Sequence, residues 1–234
     1  MKPPLKHHFL RLGGAASAIL LATSLSASAA VITWTDNGIV TDNTVLGLAG
    51  PAADIEYAVN FGGAVTTANG YVFSAYSAGN ATITGATNPY TGYFPAGDSG
   101  DANFNTVLGT GYYGTTATVT LNGLLIGQKY SLLVINADTR TGGGDGRHFY
   151  LSDTDGGAAS PFQQSNFANA TGGNLGGYIF GTFTATAETQ SFTERFQETS
   201  SGQMNALVVT AIPEPSAALL GGLGVLALLR RRRM

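Results

Sequence analysis

The chain contains no cysteine. Disulfides, thiolate metal sites, iron–sulfur clusters and a cysteine nucleophile are therefore closed to it. Cations are nearly as scarce. Between Ala30 and Ala211 the basic side chains are Lys129, Arg140, Arg147 and Arg195, against thirteen carboxylates, a net charge of −9 for that stretch. Four scattered cations on an acidic domain give no electrostatic footprint for nucleic acid. Histidine is scarcer still. His7 and His8 fall in the N-terminal leader described below, leaving His148 alone in the rest of the chain. A Ser-His-Asp hydrolase would also need a serine elbow, and no Gly-x-Ser-x-Gly exists. His148, between Arg147 and Phe149, reads as an ordinary residue on the polar face of a strand.

What is abundant is Gly, Thr, Asn, Ser and Ala, a mixture poor for helices and good for short strands joined by tight turns. Ile55, Tyr57, Val59 and Phe61 alternate with Glu56, Ala58 and Asn60, the period-two pattern of a strand with one buried face. Ala117, Val119 and Leu121 repeat that pattern. Val31–Thr35 predicts a first strand ended by an Asp36-Asn37-Gly38 turn, and Asn69-Gly70 predicts a hairpin turn. The apolar runs 131–137, 147–151, 178–187, 190–198 and 203–211 predict further strands. Residues 85–114 are rich in Gly, Pro and Tyr with no clean period, and read as a long connection that is either functional or conceals a strand. Residues 158–177 read as a second polar connection with a short helical turn near Pro161–Phe167. About ten strands without a helix of normal length predict an all-β fold, a single jelly-roll-like β-sandwich over residues 30–211.

Within it, Leu121-x-Gly123-Leu124-x-x-Gly127-x-x-Tyr130, running into Ser131–Ala137, resembles the middle strands of galactose-binding-like and carbohydrate-binding β-sandwiches. That resemblance implies a glycan-binding module. Flat Tyr rings on loops suit apolar sugar faces, and Tyr90, Tyr93, Tyr112 and Tyr113 are the candidate contacts. The bland alternative is that these rings plug one end of the sandwich. Asp138, Asp145, Asp153 and Asp155 gather around one predicted hairpin beside Arg140 and Arg147. Paired carboxylates there could serve glycoside hydrolysis, but turn chemistry accounts for the same residues. Asp153-x-Asp155-Gly156 also suggests a structural calcium ion; no other cofactor is expected.

The two ends of the chain carry the address. Lys2, Lys6 and Arg11 precede the apolar stretch Leu12–Leu25, and Ala27-Ser28-Ala29 fits a signal-peptidase site, so residues 1–29 read as a signal peptide cut between Ala29 and Ala30. At the other end stand Pro213-Glu214-Pro215, an uncharged run Ala217–Leu229, and Arg230, Arg231, Arg232 and Arg233. The 13-residue run gives a transmembrane helix over about 216–229, roughly 20 Å long and shorter than the ~30 Å hydrocarbon core. The four arginines act as a cytoplasmic membrane stop. Triplet, run and basic end, in this order over 212–234, resemble the PEP-CTERM sorting signal. The resemblance implies an exosortase substrate, exported through the inner membrane of a Gram-negative-type bacterium, with Pro213, Glu214 and Pro215 as the recognition element. It implies signal peptidase and exosortase as processing partners, a membrane-anchored precursor, and a final place at the cell surface or in the extracellular matrix. The expected function is non-enzymatic, structural or adhesive, with extracellular polysaccharide as candidate ligand; the alternative is a polysaccharide-acting hydrolase.

Overall fold

The computed structural model describes residues 30–92, 97–141, 146–154, 157–198 and 202–213. The signal peptide and its Ala29 cleavage position, Glu214, Pro215, the transmembrane run and the four arginines lie outside the described residues. In chain order the elements are β1 (Thr33–Val40), β2 (Ile55–Asn60), β3 (Thr66–Ala68), β4 (Tyr71–Ala75), β5 (Ala81–Thr84) and β6 (Asn88–Thr91). Helix α1 (Ala102–Leu108) then precedes β7 (Thr110–Gly114), β8 (Ala117–Leu121), β9 (Lys129–Asn136), β10 (His148–Asp153) and β11 (Gln163–Gln164). The chain closes with β12 (Gly176–Thr184), β13 (Gln190–Phe196), β14 (Gly202–Met204) and β15 (Ala206–Ile212).

Strands predominate as expected, but helical segments accompany them and one sandwich does not describe the fold. The strands form three sheets: β1-β12-β9-β15-β2-β4-β3, β11-β10-β13-β8-β5, and β14-β7-β6. The reason lies in strands that are apolar on both faces. In β9, Tyr130, Leu132 and Val134 point into one core with Val119, Phe149, Phe192, Leu207 and Val209. Leu133 and Ile135 point the other way, into a second core with Ala58, Ala206 and Val208. That second face is covered by a 3-10 helix over Asn43–Ala49, through Val45 and Leu46, and by α1, through Phe104, Val107 and Leu108. The seven-stranded sheet is therefore the middle layer of three. Each fully buried aliphatic or aromatic side chain contributes about 1.5–3 kcal/mol, so the helical layer stabilises the sheet substantially.

The connection over 85–114 does conceal strands, β6 and β7, and holds α1 between them. Asp101 caps α1: its Oδ1 accepts from the N–H groups of Asn103 at 2.8 Å and Phe104 at 3.1 Å. Its Oδ2 accepts from Asn69 N–H at 2.8 Å, tying the helix start to the β3–β4 turn. That turn is the predicted one, with Asn69 and Gly70 both at positive φ.

Asp36-Asn37-Gly38 is not a turn. These residues continue β1 along β12, with a register irregularity between Trp34 and Asp36. Gly38 leaves room there for the Tyr178 ring, which a Cβ would approach to 2.8 Å. Around Pro161–Phe167 the predicted helical turn is the short strand β11, and the 3-10 turns follow at Ala168–Gly173. Glu188-Thr189 joins strands of different sheets, because β12 pairs with β1 and β9 whereas β13 pairs with β8 and β10. The expected last strand 203–211 is two, β14 and β15, broken at the buried Asn205. No helix among the described residues is long and apolar enough to cross a membrane.

Candidate functional site

The three-stranded sheet carries the tyrosines singled out from the sequence, and it separates their roles. Strand alternation turns Tyr112 inward and Tyr113 outward. Tyr113 is 43% exposed. Tyr112 packs on the first core and meets Tyr76 edge-on, with ring centroids 5.2 Å apart. Tyr90 is buried, its ring 6.1 Å from that of Tyr113. It lies over Gly111, where a Cβ would come within 2.5 Å of the Tyr90 hydroxyl and 2.4 Å of the Met204 carbonyl. Tyr90 and Tyr112 therefore hold the sheet, as the plugging alternative supposes, and Tyr113 presents a ring at the surface. Tyr93 lies outside the described residues.

Beside β6 and the end of α1 an open cleft of about 300 Å³ is lined by Gly92, Asn105, Thr106, Gly109 and Thr110. Its polar side chains are set by internal bonds. Asn105 accepts from Ser99 N–H at 2.9 Å and donates to Asp98 at 3.1 Å. Thr106 donates to Ala102 O at 3.1 Å, and Thr110 to Asn60 Oδ1 at 2.8 Å. The lone pairs and amide hydrogens left over at this rim are the kind that sugar hydroxyls pair with.

Beneath the small sheet, the three sheets meet at one carboxyl group. Glu194 of β13 is fully buried. Its Oε1 accepts from Asn136 Nδ2 of β9 at 3.2 Å, and its Oε2 from Gln203 N–H of β14 at 2.8 Å. A Cβ on Gly202 would lie 2.6 Å from Oε2, so glycine leaves room for the carboxyl. Burial pushes the Glu194 carboxyl well above the usual glutamate range, against the lowering effect of the Gln203 and Asn136 bonds. The network runs on through Asn205, whose Oδ1 accepts from Ala137 N–H at 3.0 Å. The Asn205 Nδ2 donates to Leu108 O at 2.7 Å and Thr110 O at 3.0 Å. With no exposed surface, Glu194 is a structural joint between sheets. Sequence reasoning passed over it, although the alternation Phe192, Glu194, Phe196 puts a carboxylate on an otherwise apolar face.

The acidic hairpin residues are engaged locally. Asp138 is buried and pairs with Arg140 through both oxygens, at 2.9 Å to Nε and 2.7 Å to Nη2. Asp153 is buried and its Oδ2 accepts from Ile32 N–H at 2.6 Å, which pins the start of β1. Asp145 and Asp155 lie outside the described residues, and among the described residues no three ligating side chains gather. His148 Nδ1 pairs with Glu198 Oε1 at 2.9 Å on an exposed strand face. Burial alone would raise the Glu198 carboxyl, but the His148 backbone N–H and ring hold it below its usual range. Ala30 is buried at the start of the domain and Pro213 is exposed at its end.

No protein-family model matches this chain. No curated protein matches it either. Among solved structures it is similar to the plant receptor-like kinase ANX1, at 9% identity and a TM-score of 0.50 over 68% of this chain and 49% of that one. It also aligns with the ANX1 ectodomain from Arabidopsis thaliana, at 13% identity, TM-score 0.41, 69% of this chain and 52% of that one. The ANXUR2 extracellular domain from the same plant aligns at 11% identity and TM-score 0.38, over 69% of this chain and 49% of that one. The chain thus spans about half the length of each. At such identity the likeness to the receptor-like kinase is one of β-rich fold alone.

Proposed function

We propose that this is an exported, surface-sorted protein whose β domain has a structural or adhesive role in an extracellular matrix and contacts glycan through Tyr113. One observation carries the sorting part. Strand β15 lies inside the seven-stranded sheet, between β9 and β2, and ends at Ile212. The last residue of the last strand is thus followed at once by the exposed Pro213 that opens the Pro-Glu-Pro triplet. A processing enzyme can engage such a triplet without unfolding the domain, and a cut there leaves the domain intact.

The binding part draws support from the separation of the tyrosines: a sheet held by Tyr90 and Tyr112 presents one exposed ring, Tyr113. A glycan array and a reducing-sugar release assay on the secreted protein test it together. Binding without sugar release is the expected result. Release of reducing sugar would overturn the non-catalytic reading, and silence on the array would overturn glycan contact.

A further inference from the structure

Both ends of the domain leave from the same edge. Lys129, at the start of β9, pairs with Ile212, at the end of β15, and with Thr184, at the end of β12. Thr33, at the start of β1, pairs with Thr182 near the same end of β12. Immediately before β9 a tight turn projects from this edge. Gln128 N–H donates to Leu125 O at 3.0 Å, and Gly127 takes the left-handed conformation, φ +88°. Three further bonds fix the turn: Leu125 N–H to the Tyr130 hydroxyl at 2.9 Å, Gly127 N–H to Ala185 O at 2.7 Å, and Gln128 Nε2 to Ile212 O at 2.8 Å. The rigid tip presents two adjacent aliphatic side chains, Leu125 and Ile126, 64% and 67% exposed. Val31, 56% exposed, stands at the same edge and shares a cleft with Lys129.

An exposed aliphatic residue alone needs no explanation, but two side by side on a fixed turn, bonded to the last residue of the last strand, do. The uncharged run Ala217–Leu229 begins five residues beyond Ile212. Fully extended, that distance is about 17 Å, so an inserted run would hold this edge against the headgroup region. We propose that the Leu125–Ile126 turn is a second, shallow membrane contact of the anchored precursor, dipping into the interface beside the tail. This rests on the membrane-anchor part of the proposed function. Asp54, Glu56 and Glu188, all exposed near this edge, oppose anionic headgroups, so the surface that fits is a zwitterionic phospholipid one.

The absence of cysteine makes the test clean. Ile126→Cys, Leu125→Cys and, at the opposite end of β1, Ile39→Cys are each made in the full chain and labelled with an environment-sensitive fluorophore. The proteins are reconstituted with phosphatidylcholine vesicles, with and without acyl-chain spin-labelled lipid, and floated on a gradient. The expected result is flotation of all three, with loss of emission to the quencher at positions 125 and 126 and none at 39. Flotation without quenching at 125 and 126 overturns the turn contact and leaves the anchor standing. Failure to float overturns the anchor and the turn contact with it.

Discussion

At the scale of single residues, the buried Glu194 ties the stability of the domain to pH. Between the ordinary glutamate value, 4.5, and its raised folded value, the folded chain keeps a proton that the unfolded chain has lost. Raising the pH through that window therefore favours the unfolded state, and stability falls. The melting temperature should decline as the pH rises above the ordinary glutamate value, and Glu194→Gln should flatten that decline. Calorimetry over a pH series checks both; an unchanged slope in the variant would remove Glu194 as its origin. Tyr90 and Tyr113 separate packing from binding in the same way. Tyr113→Ala should abolish glycan binding with little change in stability, whereas Tyr90→Ala should cost about 3–5 kcal/mol by opening a cavity. Paired array binding and urea titration would show the two effects apart. The residue types were legible in the sequence here, but which ring faces out depends on β6 and β7 pairing across a connection with no readable period.

At the scale of elements, the joints between sheets matter more than the strands themselves. Asn205 breaks what the pattern predicts as one strand, and its side chain satisfies backbone groups of Ala137, Leu108 and Thr110. Asn205→Ala would strand buried polar groups, each costing about 1–3 kcal/mol, so we expect a net loss of about 3 kcal/mol or more. The urea midpoint should fall with an unchanged slope, which distinguishes lost stability from a changed unfolded state. Asp153 is the joint for β1. Asp153→Ala should lower the melting temperature in the presence of a calcium chelator as well as without it, because the bond to Ile32 N–H is lost either way. A melting temperature that chelation lowers in the unsubstituted chain, but not in the variant, would assign the carboxylate to an ion instead. Strands such as β8, with buried Ala117, Val119 and Leu121 alternating with polar neighbours, were legible because one face meets water. The two-sided burial of β9 and β15 requires a covering layer, which their local pattern does not name. A seven-residue helix such as α1 is too short to carry a period of its own.

At the scale of the whole molecule, domain and tail are proposed to act as separate devices joined at Ile212. Replacing Pro213, Glu214 and Pro215 by alanine leaves the apolar run and the basic end intact. The uncleaved precursor should then accumulate in the membrane fraction of the native host, as pulse-chase and fractionation would show. Processing at the normal rate would reduce the tail to an anchor.

The sequence by itself determined the absence of thiol chemistry, the acidic balance and the preponderance of strands, because these follow from composition and local order. The tertiary structure alone decided that the described strands form three sheets with a helical layer over one face of the largest, that Glu194 sits where the sheets meet, that Tyr90 is covered while Tyr113 is partly exposed, and that Leu125 and Ile126 share an edge with the end of β15. Those are facts of pairing between residues far apart in the chain. Burial is set by what a side chain meets across that distance, and local pattern records only which side of its own strand it faces.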